Sequence, residues 1–316
     1  MDLSITDLDA AGSRREESIL ISWPRVPKLI IAHAGSVPPV LSHAADPAVQ
    51  VWRDQGGMVC AYSCTVSGQY WMYLPGLAAF RFDGTSDKVI AITPPSMRPD
   101  LIQDAYHRTV LPFVLQATGL EVLHASAILT SQGVVALCAA SGTGKSTIAY
   151  GLSRRGYPLW ADDAVAFETS GQWIRAIPVP FRMRFRPDAA SFFNQDLTAA
   201  QSRRGLNSDD RVETEPGRLA ALCVLEPVPR VGDRTAVEAL RLSSTQAFTA
   251  VLAHAYCFSL QDLERKRRMM EHYLDLIGRV PVFEIRFEPG LEKLPAILDA
   301  IEQAGAEESL AGSHLG

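Results

Sequence analysis

From about residue 17 to residue 95 the chain breaks into short runs that alternate apolar with polar positions, at the period of strands with one buried face. "SILISW", "VQVWRD", "MVCAYSC", "QYWMYL", "AFRF" and "VIAIT" are rich in β-branched and aromatic residues. Gly56-Gly57, Ser67-Gly68 and Asp83-Gly84 punctuate them as hairpin turns. The pattern predicts a small, mainly antiparallel β domain over residues 1–97. The period then lengthens. In "SMRPDLIQDAYHRTVLPFVLQATG", Pro99 is placed to start a helix, Leu101, Ile102, Ala105 and Val110 share a side, and Pro112 should kink or divide it. This helix, 98–120, is expected to link two domains.

Strands follow at "LHASAIL" and "GVVALCAA", then a helix from Lys145 to Arg155 closed by Gly156. "YPLWADD", "AIPVPFRMRFRP", "LAALCVLEP" and "VFEIRF" read as further strands, and helices are expected at 245–256, 260–278 and 291–304. Strands alternating with helices give an α/β domain over 121–304. Residues 199–217 are polar and aperiodic, which predicts either disorder or a lid over a phosphate site. The small, polar end, 305–316, is expected to be a disordered tail.

Composition narrows the classes. With 316 residues, 47% hydrophobic, the chain can bury the core of two domains. A net charge of −5 argues against nucleic acid as partner, and Arg265-Lys266-Arg267-Arg268 reads as one solvated helix face. No apolar run approaches the ~18 residues of a membrane span, and the N-terminus lacks the apolar core of a signal peptide. The five cysteines, scattered at 60, 64, 138, 223 and 257, suit reduced thiols in a cytoplasm better than a zinc site. A homo-oligomer is compatible with all of this.

The chemistry begins at "AASGTGKST", Ala139 to Thr147. A strand, a glycine-containing turn and a helix opening at lysine is the order a phosphate cradle needs: loop amides and the positive helix end face the phosphates. Ser141, Gly142, Thr143, Gly144, Lys145, Ser146 and Thr147 are therefore the candidate nucleotide contacts, with Lys145 on the β/γ oxygens and the Ser146 hydroxyl on Mg²⁺. Ala139 stands where the usual pattern has its first glycine, a replacement that costs little unless the position needs positive φ. Asp162-Asp163 closes the next strand, and two adjacent carboxylates there suggest a metal or a proton-transfer task. His124 could position or tune the carboxylate that takes a proton. Arg182, Arg184 and Arg186 alternate with Phe181, Met183 and Phe185, which on a strand would place three guanidinium groups on one face. That face either binds phosphate or a carboxylate or is merely exposed; Arg203 and Arg204 are weaker candidates. The remaining histidines, His33, His43, His107, His254, His272 and His314, are expected in structural or surface positions.

Residues 123–165, with histidine before the loop, S-G-x-G-K-S, a helix ending R-R-G and a closing D-D, resemble the core of HPr kinase/phosphorylase, whose fold is related to phosphoenolpyruvate carboxykinase. The resemblance implies a C-terminal P-loop kinase domain of that type and ATP and Mg²⁺ as cofactors. It implies phosphate binding at Lys145, metal at Ser146 with Asp162 nearby, proton acceptance at Asp163 with help from His124, and an arginine, for which Arg184 is the candidate, against the transferring phosphoryl group. The sequence departs from that family at Ala140 and Thr147, where HPr kinases have aspartate and glutamate, and lacks an alignable phosphorylase segment. The looser pattern, H-A-S-A with S-G-x-G-K-S-T and D-D behind a β-rich domain, resembles kinases of lasso-peptide clusters, which phosphorylate a serine at the precursor's C-terminus. A peptide or protein acceptor is the expected substrate, with free serine, or nucleotide binding without turnover, as alternatives.

Overall fold

The computed structural model describes residues 17–19, 27–34, 49–53, 56–183, 187–193, 206–207, 216–229, 237–257 and 262–312. The chain divides into two compact units, one of residues 1–120 with 257–263 and one of residues 121–256 with 264–316.

In the first unit, β1 (Glu17–Ile19), β2 (Lys28–His33), β3 (Gln50–Arg53), β4 (Val59–Val66), β5 (Gln69–Leu74), β6 (Ala78–Phe82) and β7 (Lys88–Thr93) form one sheet in the order β1-β2-β7-β6-β5-β4-β3. β3 to β7 are a meander. At the β4–β5 turn Ser67 and Gly68 both have positive φ, 50° and 78°, as a two-residue hairpin whose twist matches its strands requires. The sequence pattern missed β2, "KLIIAH", an apolar run without alternation; it pairs parallel with β7, an arrangement no turn signal announces.

The helical segment that follows is α1 (Pro99–Ala105), a π-helical turn (Tyr106–Val110) and α2 (Leu111–Ala117), all within this unit. The widening has a local cause. Pro112 has no N–H for the carbonyl of Arg108 and its ring crowds that carbonyl, so the turn before it opens and Leu111 N–H reaches back to Tyr106 O. Tyr106 is fully buried and donates its hydroxyl to Pro27 O at 2.7 Å.

The second unit is α/β with a mixed sheet. Its elements in order are β8 (Glu121–Leu123), β9 (Ala125–Thr130), β10 (Gly133–Cys138), α3 (Lys145–Arg154), β11 (Leu159–Ala161), β12 (Val165–Glu168), β13 (Arg175–Ile177), β14 (Arg182–Met183), α4 (Pro187–Phe192), β15 (Leu206–Asn207), β16 (Gly217–Pro227), β17 (Glu238–Arg241), α5 (Ser244–Leu252), α6 (Leu263–Arg279), β18 (Val282–Phe287) and α7 (Leu294–Gly312). β10 lies antiparallel to β9 and parallel to β16, which in turn lies parallel to β18; β11 and β17 flank this layer. Seven consecutive residues of β16, Leu219 to Leu225, are buried, as a parallel strand covered on both faces demands. The start of β16 also pairs with β13, which continues through β12 to β8. α3 and α7 pack on the sheet in one core cluster that includes Ile148, Leu152, Cys223, Ile285, Leu298 and Ile301.

Several expectations shift. The long strand "AIPVPFRMRFRP" is interrupted, because Pro178 and Pro180 cannot donate to a ladder; β13 and the short β14–β15 pair stand on either side, and α4 begins at Pro187. The final helix is preceded by a 3₁₀ turn, Leu291–Lys293, and continues to Gly312, through most of the segment expected as a tail. The helix expected over 245–256 ends at Leu252, and residues 253–256 turn away to pair with β8. Most of the 199–217 segment lies outside the described residues. Among the described residues no helix is long and apolar enough to cross a membrane.

Candidate functional site

β10 ends at Cys138, locked between β9 and β16, and the chain turns through residues 139–144 into α3. Gly142 and Gly144 have φ of 87° and 105°, the left-handed region open to glycine. Ala139 is fully buried and is not among the positive-φ residues, so its methyl is tolerated where the usual pattern has glycine. The first i→i−4 bond of α3 joins Ile148 N–H to Gly144 O at 2.9 Å, so the amides of Lys145, Ser146 and Thr147 have no acceptor within the helix. Among the other candidate contacts, Ser141 and Gly142 are exposed and Thr143 is half-buried. Lys145 is only 6% exposed and donates its Nζ to the carbonyls of Ala139 at 2.9 Å and Ala140 at 3.3 Å. Burial lowers its pKa, and Asp163, Cys138 and Asp162 oppose that shift.

The paired acids follow β11, the edge strand beside β9. Asp162 is 6% exposed, and its Oδ1 accepts two hydroxyls, Ser126 Oγ from β9 at 2.6 Å and Ser146 Oγ from α3 at 2.8 Å. Burial, with Asp163 beside it, pushes its pKa up to about 6, while the two hydroxyls pull it back. Asp163 is one of two non-glycine described residues with positive φ, 65°, a conformation Asp tolerates better than most. Its carbonyl accepts a long bond from Tyr256 Oη at 3.4 Å.

His124 occupies the bend between β8 and β9, half-buried. Burial first, and the Lys145 charge second, press its pKa down to about 4, with Asp163 acting in the opposite sense and His254 adding to the depression. The loop lysine, the acids and His124 are thus electrostatic neighbours, although the sequence spaces them widely. His124 N–H donates to His254 O at 2.8 Å, and its ring meets that of Tyr256 edge-on with centroids 6.1 Å apart. His254, which the sequence placed among structural or surface residues, has a pKa lowered by burial and by Lys145. Ser126, His254 and Tyr256 are the site residues that sequence reasoning missed; only the serine carried a signal, as part of H-A-S-A. Behind β8, Glu121 is buried and bound by both terminal nitrogens of Arg265, at 2.6 and 2.9 Å, and by His272 Nδ1 at 3.0 Å. This ties α6 to β8, the strand that leads into His124.

Arg184 lies outside the described residues, as do Arg186, Arg203 and Arg204; Arg182 is in β14. Among the described residues no group of three or more His, Cys, Asp and Glu stands where it could hold an ion on protein ligands alone. The Ser146 hydroxyl and Asp162 carboxylate do fit a hard cation that keeps waters and takes its other ligands from phosphate oxygens.

No family model matches the chain, and no curated protein matches it. Among solved structures, the HPr(Ser) kinase/phosphatase from Coxiella burnetii is similar at 14% sequence identity and a TM-score of 0.35, over 61% of this chain and 96% of that one.

Proposed function

We propose that the chain is an ATP- and Mg²⁺-dependent serine kinase whose acceptor is a hydroxyl of a peptide or protein. One observation carries the reading: a buried carboxylate, Asp162, takes the hydroxyl of Ser146 from the first turn of α3, directly after a glycine loop and a buried lysine. A perturbed, buried acid at that place suits a metal–phosphate site.

Phosphoryl transfer asks for in-line positioning and charge neutralisation more than for covalent help. The amides ahead of Ile148 and the positive end of α3 face the phosphates. Lys145 exchanges the Ala139 and Ala140 carbonyls for β/γ oxygens. Ser146 and Asp162 would hold the metal, which would supply charge neutralisation for the phosphates. Asp163 accepts the proton as the acceptor oxygen bonds to the γ-phosphorus; the bond to the β–γ bridging oxygen breaks and its electron pair leaves with ADP. His124, held neutral by burial, supports Asp163 without adding a cation next to Lys145. Arg184 is assigned to the transferring phosphoryl group and the C-terminal serine of a precursor peptide to the acceptor, both on the motif resemblance.

The test is incubation of the full chain with labelled ATP and serine-terminated peptides, read as label transfer and as gain of one phosphoryl group in mass spectrometry. Asp163→Asn should bind ATP and transfer nothing, whereas Lys145→Ala should fail to bind. Free serine phosphorylated in preference to peptides would identify a small-molecule kinase. ATP binding with no transfer to any hydroxyl would identify a regulator, and no ATP binding by the wild-type chain would end the kinase reading.

A further inference from the structure

The residues released where α5 stops place a second imidazole at the site. Ala255 bridges Leu123 in antiparallel register, fixed by His124 N–H to His254 O at 2.8 Å and Tyr256 N–H to Val122 O at 2.9 Å. In that register His254 stands directly opposite His124, and opposed residues share a face. Tyr256 lies diagonally across on the same face, which its edge-on ring contact with His124 bears out. Leu123, between them in parity, points the other way and is fully buried. Both imidazoles are half-buried and both feel Lys145. Tyr256, on the same face, donates its hydroxyl to Asp163 O at 3.4 Å, which joins the paired histidines to the acids of the site.

On the kinase reading, we infer that His254 is a further nucleotide-binding residue, donating a ring N–H to the terminal phosphoryl group that Lys145 also holds. A neutral imidazole suits that place, because it supplies a donor without a second positive charge against a buried lysine.

The experiment is calorimetric titration of the full chain with Mg²⁺-ADP and with Mg²⁺-AMP-PNP, which retains a terminal phosphoryl group. His254→Ala should weaken AMP-PNP by roughly tenfold, the effect of one hydrogen bond to a charged group, and ADP by less than about twofold. His254→Asn, which keeps a side-chain N–H, should recover part of the loss, and it decides the question if the alanine variant does not fold. Equal weakening of both nucleotides, or of neither, overturns the assignment. A wild-type chain that binds neither nucleotide is a different result, since it removes the kinase reading itself.

Discussion

At the scale of single residues, Asp162 and His124 are two groups whose burial tilts the pH dependence of stability in opposite directions. Asp162 titrates at about 6 in the folded chain against 3.8 for an ordinary aspartate. Between those values the folded state keeps a proton that the unfolded state has released, so stability falls as pH rises through that window and stays at the lower level above it. His124 titrates at about 4 against 6.5. There the unfolded state takes up a proton that the folded state refuses, so stability falls as pH drops from 6.5 toward 4. Asp162→Asn keeps an acceptor for both serine hydroxyls and removes the buried charge. It should stabilise the fold at pH 7.5 by on the order of 2 kcal/mol while abolishing phosphoryl transfer, and its advantage should vanish below pH 4. His124→Gln should flatten the acid limb. Thermal melts at half-unit pH steps measure both slopes.

At the scale of elements, the site depends on how β8, β10 and α3 are held. Glu121 on β8 is buried, and its carboxylate is met by Arg265 and His272 of α6. Arg265→Met takes the guanidinium from this buried carboxylate and should cost about 3 kcal/mol or more in urea unfolding, and adding Glu121→Gln should restore much of that loss. Two glycines separate backbone strain from crowding. Gly144 at the start of α3 has φ of 105° and open space where a Cβ would stand, so Gly144→Ala should cost about 1–2 kcal/mol of stability. Gly133 has φ of 128°, and its Cβ would fall 2.4 Å from the carbonyl oxygen of Arg218 on β16. Gly133→Ala should therefore lower the urea midpoint more than Gly144→Ala, because β10 must move off its parallel neighbour. The end of α5 shows where local pattern stops deciding. "LAHAYC" is acceptable helix sequence, yet His124 N–H, Val122 O and the Leu123–Ala255 bridge take residues 254–256 into strand pairing. No residue within that segment announces the exchange.

At the scale of the whole molecule, the second unit is assembled from two stretches of chain, 121–256 and 264–316. β18 supplies the parallel neighbour of β16 from Leu222 to Pro227, and α7 covers the core with Leu294, Ile297, Leu298 and Ile301. A chain ending at Tyr256 should lose the cooperative unfolding transition of this unit and its nucleotide binding, which circular dichroism in urea and calorimetry would show. What the sequence determined by itself was whatever short-range physics controls: strands where apolar positions alternate, the hairpin turn at Ser67-Gly68, a break in the helix at Pro112, and the glycine loop opening into a helix at Lys145. The tertiary structure decided what lies across long separations: the parallel pairing of β2 with β7, the meeting of Ser126, Ser146 and Asp162 on one oxygen, and the place of His254 opposite His124. The reason is register. Alternation tells which residues share a face within one strand, but which strands lie side by side, and at what offset, is set by the joint packing of both core faces, and a slip of one residue would turn each of these side chains away from the site.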